Sequence, residues 1–292
     1  MTQERLPQGN LEPKIEQWPL VEQNPDLKIA IQASVKAGTF LKNAFYSKDY
    51  EIRVNDDKSE YTPFDQQAEA IGINTIRDFE PDAVIMSEEI SPNQDISGGD
   101  FWVIDGIDGT TNFSLRIPIC NFTLAKAEAG KLKLGVVNDF LNGNVYYAID
   151  GQGAYKNGEP MSTSSRPFDK CVITFAPLRD AHRGKWDKEK QAVTAVRNAM
   201  DEITDVSGRF HREFQSGALE LAWVAEGKLD GYASSWTSPW DLSAGALLVR
   251  EAGGIATNIY GEQWQPGYMG VIAGNQEVQP QMLSIIQKHF KE

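Results

Sequence analysis

Two short apolar runs set the frame of this chain. Ala83-Val84-Ile85-Met86 opens onto Ser87-Glu88-Glu89, and Phe101-Trp102-Val103-Ile104 opens onto Asp105. Unbroken apolar runs of this length predict buried strands, here ending in carboxylates at a shared edge. Upstream, Ile29, Ala33, Ala37, Phe40, Leu41, Ala44 and Phe45 fall on one helical face, which predicts a helix opening at Pro25. A second helix is predicted from about Pro63 to Phe79, with Pro81 ending it. Residues 119–156 read as a meander. Ile119 to Glu128, Leu132 to Asp139 and Asn144 to Ile149 are strand-like, with turns at Gly130, Asn142-Gly143 and Asp150-Gly151.

The second half alternates. Strands are predicted at Cys171 to Phe175, Ile203 to Ser207 and Leu229 to Ala233, and near Ile255 and Val271. Helices are predicted at Lys185 to Met200, Leu219 to Glu226, Trp240 to Ala252 and Pro280 to Phe290; Gly253-Gly254 suits a helix end. Mixed strands interleaved with helices imply a layered α/β or α+β sandwich. Residues 1–24, with Pro7, Pro13 and Pro19, read as an irregular arm, packed on a neighbouring subunit or without fixed structure.

Composition narrows the chemistry. At 292 residues the chain can bury a substantial core. A net charge of −13 argues against a nucleic-acid surface and requires cations wherever an anionic substrate binds. Cys120 and Cys171 read as reduced core residues rather than a disulfide framework. No apolar run has the length of a membrane span, and the N-terminus lacks a signal-peptide core, so the expected location is cytoplasmic. His182, His211 and His289 have no ligand spacing and no nucleophile beside them. Carboxylate–metal chemistry is therefore the leading option.

The run from Trp102 continues as Asp105-Gly106-Ile107-Asp108-Gly109-Thr110-Thr111-Asn112-Phe113. Asp108-Gly109 alone is an ordinary turn pair, and Gly109-Thr110 alone an ordinary helix start. Asp105 is different. A carboxylate at the exit of a buried strand is costly without a counter-charge, and a cation removes that cost. The Ile107 carbonyl adds another hard oxygen. An EF-hand loop does not fit, because Arg116 stands where a bidentate glutamate is required. N–H groups opening a helix after Gly109 can hold a phosphate. Glu88-Glu89 reads as a solvated pair in isolation, and Asp65 and Asp241 as first-turn acids that favour a helix dipole.

Four separated blocks together resemble the inositol monophosphatase family of magnesium-dependent, lithium-sensitive phosphatases. Lys58 to Glu69, with Thr62 and Asp65, is similar to its Val-Thr-x-x-Asp block, and Ser87-Glu88-Glu89 to its Gly-Glu-Glu. Asp105 to Phe113 is similar to Asp-Pro-Ile-Asp-Gly-Thr-x-Asn-Phe. Trp240-Asp241 through Gly254 is similar to Trp-Asp-x-x-Ala-Gly followed by Glu-Ala-Gly-Gly. The resemblance spans Pro25 to the C-terminus.

It implies an α+β fold, a layered α/β/α/β/α sandwich of the sugar-phosphatase type, usually dimeric. Residues 25–165 would carry most metal ligands; residues 166–292 would supply Asp241 and the substrate pocket. It implies roughly two to three Mg²⁺ ions. Glu88, Asp105 and the Ile107 carbonyl would hold one, Asp105, Asp108 and Asp241 a second, and Glu88 with water a weaker third. Asp65 and Thr110 would orient and deprotonate the attacking water. Gly109 and Thr110 N–H groups would bind phosphate, with Lys58 and Glu89 as supporting charges nearby. Ser216, Gly217 and Ala218 would line the substrate pocket, and Ser234 stands where inositol-cleaving members carry a glutamate. Gly106 replaces the family's usual proline, which is expected to loosen the loop through the unfolded state.

The expected substrate is a small phosphorylated polyol or sugar, inositol monophosphate first. Histidinol phosphate, fructose 1,6-bisphosphate and 3′-phosphonucleotides are the relatives' alternatives, and Thr111-Asn112-Phe113 looks unlike the nucleotide-cleaving branch. A haloacid-dehalogenase-type phosphatase needs two aspartates separated by one residue, whereas Gly106 and Ile107 both intervene here. The reading from another class is a non-catalytic regulator that kept the fold, consistent with Gly106 and Ser234.

Overall fold

A computed structural model describes residues 15–47, 53–54, 60–176, 187–207, 211–235, 237–268 and 270–290. Helix α1 (Pro25–Tyr46) begins where Asn24 accepts the Leu27 N–H and proline occupies the first turn. Strands β1 (Arg53–Val54) and β2 (Glu60–Tyr61) form a small antiparallel pair. Helix α2 (Pro63–Arg77) opens on a capping box between Thr62 and Asp65. Then follow β3 (Ile85–Ser87), β4 (Phe101–Asp108), the short helix α3 (Thr110–Ser114), β5 (Asn121–Glu128), β6 (Lys131–Asp139), β7 (Asn144–Ile149), β8 (Ala154–Lys156) and β9 (Glu159–Pro160). The remainder comprises β10 (Ile173–Phe175), α4 (Asp187–Ser207), α5 (Gly217–Ala225), β11 (Gly231–Ser234), α6 (Pro239–Glu251), β12 (Ile255–Thr257), β13 (Val271–Gly274) and α7 (Val278–His289).

Strands β3 to β9 form a seven-stranded sheet in sequence order. Only β3 and β4 run parallel; β4 pairs antiparallel with β5 across the segment that holds α3, and the later strands pair antiparallel through tight turns. Side-chain alternation divides β4 between two cores. Trp102 and Ile104 pack with α1 and α2, while Phe101 and Val103 pack with α5 and α6. The second sheet has the order β10-β11-β13-β12. Its Tyr232, Val271 and Ala273 join the α5–α6 core, and Ile173, Phe175, Ala233 and Ile272 join α4 and α7. The result is five layers, α/β/α/β/α, as expected. Cys120 and Cys171 are buried and form no disulfide.

Three local expectations change. Ile203 to Ser207 is not a strand; α4 runs through it to Ser207. Ala195, Val196, Ala199 and Ile203 lie on one helical face and pack with Met282 and Ile286 of α7. That tertiary burial outweighs the strand preference of a β-branched residue. Strand β4 does not stop at Ile104 but continues to Asp108, with its pairing to β5 irregular between Asp105 and Asp108. Within the arm, residues 1–14 lie outside the described residues, but Ile15 and Val21 are buried in the chain's own core and Trp18 stacks on Tyr147 at 5.7 Å. No described helix is long and apolar enough to cross a membrane.

Candidate metal centre

Parallel pairing of β3 with β4 places Ser87 opposite Ile104. The next residues, Glu88 just past the end of β3 and Asp105 within β4, therefore lie side by side. Helix α6 aims its first turn at the same place, because Ser238 caps it and Asp241 closes a capping box, accepting the Ser238 N–H at 3.2 Å. Glu88, Asp105 and Asp241 each offer one carboxylate oxygen, and these oxygens lie within 4.8 Å of one another. Asp105 is buried and accepts the Ile107 N–H at 2.9 Å.

Asp108 sits beside this trio in a different setting. Its carboxylate accepts the Asn121 Nδ2 at 2.6 Å, the Ser216 Oγ at 3.0 Å, the Gly217 N–H at 3.1 Å and the Ala218 N–H at 2.9 Å. It thus satisfies the opening N–H groups of α5 and ties that helix to the end of β4. Ser216, Gly217 and Ala218 are buried and face Asp108 through these bonds. Ser234 is also buried, its hydroxyl 3.3 Å from the Val271 N–H within the second sheet.

Asp65 reaches the site from α2. One oxygen accepts the Thr62 N–H and hydroxyl at 2.8 and 2.7 Å; the other lies 3.1 Å from the Thr110 hydroxyl. That hydroxyl is also 2.9 Å from the Ile107 carbonyl. A hydroxyl has one proton, so it serves one acceptor at a time. Gly109 has φ +93°, and a Cβ there would stand 2.8 Å from the Ile119 carbonyl, so the bend into α3 requires glycine. Lys58 and His182 lie outside the described residues. His211 meets Phe175 edge-on and His289 lies 2.8 Å from Glu202, structural surroundings as expected.

Glu69 was not singled out by sequence, though it stands one helical turn after Asp65. It is fully buried, and its two oxygens accept the N–H groups of Glu89 and Ile90 at 3.0 Å each. The signal available was the i, i+4 spacing of two acids on one helix.

Burial raises the carboxyl of Asp65 to about 6 and those of Glu69 and Asp241 to about 7. Glu88 and Asp105 are pushed well above the usual carboxylate range, by burial first and then by neighbouring negative charge. Among the described residues no lysine or arginine pairs with any member of the trio. Clustered hard oxygens without a cationic partner suit a divalent metal ion such as Mg²⁺. The profile of the inositol monophosphatase family matches residues 22–291.

The chain belongs to the inositol monophosphatase family. It is 34% identical over 268 residues to a Salmonella typhimurium protein named Nus factor SuhB, covering 89% of this chain and 95% of that one. It is 30% identical over 263 residues to the inositol-1-monophosphatase of Mesorhizobium japonicum, covering 90% and 96%. The solved inositol monophosphatase of Thermotoga maritima superposes with a TM-score of 0.76 at 27% identity, covering 91% of this chain and 98% of that one. Membership of the inositol monophosphatase family accounts for the five-layered fold and for the four sequence blocks.

A stability prediction follows from the raised carboxyls. Asp65, Glu69 and Asp241 have folded values above their unfolded values of about 4. Between about 4 and 7 the folded protein therefore holds more protons than the unfolded chain, and stability falls as pH rises through that window. The metal-free protein is expected to melt at a lower temperature at pH 8 than at pH 5. Mg²⁺ at 100 times its dissociation constant is expected to add about 2.7 kcal/mol at pH 8. Calorimetric melts in EDTA and in Mg²⁺ test both; a metal-free melting temperature that rises from pH 5 to 8 refutes the electrostatic account.

Proposed function

We propose that this protein is a Mg²⁺-dependent phosphomonoesterase acting on a small phosphorylated polyol or sugar, with inositol monophosphate as the favoured substrate. The observation that carries this reading is the convergence of Glu88, Asp105 and Asp241 oxygens within 4.8 Å, with no described cation to neutralise them. Glu88, Asp105, Asp241 and the Ile107 carbonyl are the groups assigned to hold the metal, with Asp108 anchoring the loop and contributing to the second position. When bound, Mg²⁺ neutralises charge on phosphoryl oxygens and makes a nucleophile of water at neutral pH.

The chain's own residues supply the rest. With the Ile107 carbonyl engaged, the Thr110 hydroxyl donates to Asp65 Oδ1, leaving its lone pairs to orient a water. Asp65, raised to about 6, is suited to receive a proton at Oδ1 near neutral pH. The first N–H groups at Gly109 and Thr110 are assigned to phosphate oxygens. Ser216 to Ala218 support the pocket from behind Asp108.

A second reading has its own support. The 34% identity to a protein named as a Nus factor covers nearly the whole of both chains, which favours a regulatory role that leaves the fold and acidic cluster in place. Phosphate release from inositol monophosphate, fructose 1,6-bisphosphate, histidinol phosphate and a 3′-phosphonucleotide, with and without Mg²⁺, separates the two. Mg²⁺-dependent turnover of inositol monophosphate above the others is the expected outcome. No turnover of any ester would sink the phosphatase reading and favour the regulator.

A further inference from the structure

Among the described residues no lysine or arginine pairs with Glu88. It is the first residue of a three-residue turn after β3, and its carboxylate faces the negative charges of Asp241, Glu89, Asp65 and Glu69. That repulsion tends to drive the turn outward. What opposes it is Glu69. Each of its two oxygens accepts one of two consecutive amides, Glu89 N–H and Ile90 N–H, at 3.0 Å. Consecutive N–H groups converging on one carboxylate form an anion-binding concavity. The turn is braced on its far side as well. Ser91 N–H donates to Ser87 Oγ at 3.2 Å, and Ser91 Oγ donates to the Ile85 carbonyl at 2.7 Å.

Glu69 is itself fixed. It is fully buried in α2, one turn beyond Asp65, and its Cγ lies where a Cβ on Gly106 would come within 3.1 Å. The same helix thus carries Asp65 and the clamp that locates Glu88, and both rest on β4 beside Asp105.

We propose that Glu69 is a positioning residue for the metal centre, holding Glu88 at ligating distance by clamping the turn that follows it. This rests on the metal-dependent reading given above. Supporting residues of this kind alter metal affinity by about 10–100-fold when replaced. In Glu69→Gln the side-chain NH₂ can face only one of the two amides, and donor then meets donor.

The test is titration of the metal-free protein with Mn²⁺, read by electron paramagnetic resonance, alongside hydrogen exchange at the Glu89 and Ile90 amides. Glu69→Gln is expected to bind Mn²⁺ about 10-fold or more weakly, and those two amides are expected to lose protection while β5 and β6 keep theirs. Glu69→Asp, which keeps the charge but is one methylene shorter, is expected to recover part of the affinity, and carries the test if the glutamine variant does not fold. Arg166→Ala, which removes the partner of buried Asp230 far along the chain, is the control for simple destabilisation. It is expected to lower the melting temperature and leave Mn²⁺ affinity unchanged. Wild-type Mn²⁺ affinity in the folded glutamine variant, or in the aspartate variant where the glutamine variant does not fold, overturns the inference alone. A wild-type protein that binds no Mn²⁺ overturns the metal reading and the inference with it.

Discussion

Asp105→Asn is expected to remove Mg²⁺-dependent phosphate release, lowering kcat by about 10³-fold. Asp105 is the buried member of the trio and faces both Glu88 and Asp241. Asparagine has nearly the same shape, and its Oδ1 can still accept the Ile107 N–H that Asp105 accepts at 2.9 Å. What is lost is the charge that offsets a divalent ion. The fold is expected to survive, because the wild-type charge is a burden without metal. In EDTA at pH 8 the variant should melt no lower than wild type, while the Mg²⁺-induced rise in melting temperature disappears. Near-normal turnover by Asp105→Asn would remove the two-aspartate metal role from consideration.

Gly106→Ala is expected to cost about 1–3 kcal/mol of stability and to lower kcat by about 10²-fold. A Cβ at position 106 would stand 2.4 Å from the Asp65 carbonyl oxygen and 3.1 Å from Glu69 Cγ. The nearer obstacle is backbone, which cannot rotate aside, so α2 must shift away from β4. That shift moves Asp65 from Thr110 and Glu69 from the Glu88 turn together. By resemblance alone Gly106 stands for a missing proline that loosens a loop. In the folded protein it lies inside strand β4, and its lack of a side chain is what allows the helix to approach. Wild-type melting temperature and kcat in the alanine variant would show that α2 gives way without consequence.

The elements were legible where one physical signal dominated. The continuous apolar runs before Glu88 and Asp105, the proline-started helices α1 and α2, and the glycine-ended α6 all occur close to their expected positions. At Ile203 two signals were in conflict. A short β-branched segment was outweighed by helical contact with α7, a partner many residues away.

The candidate site divides in the same manner. Residue type and spacing by themselves singled out Asp105, a carboxylate at the exit of a buried strand, with Glu88 at a second strand end; the resemblance to the inositol monophosphatase family joined Asp108 and Asp241 to them, since an acid in a turn or in the first turn of a helix is ordinary by itself. Only the tertiary structure separated Asp108, engaged by four donors from β5 and the α5 entrance, from the trio whose oxygens converge. It alone exposed the Glu69 clamp and the contact that Gly106 permits. The reason is physical. Spacing along a chain limits which groups a local element can present, whereas hydrogen-bond partners and steric contacts depend on where distant elements pack, and no local pattern encodes those distances.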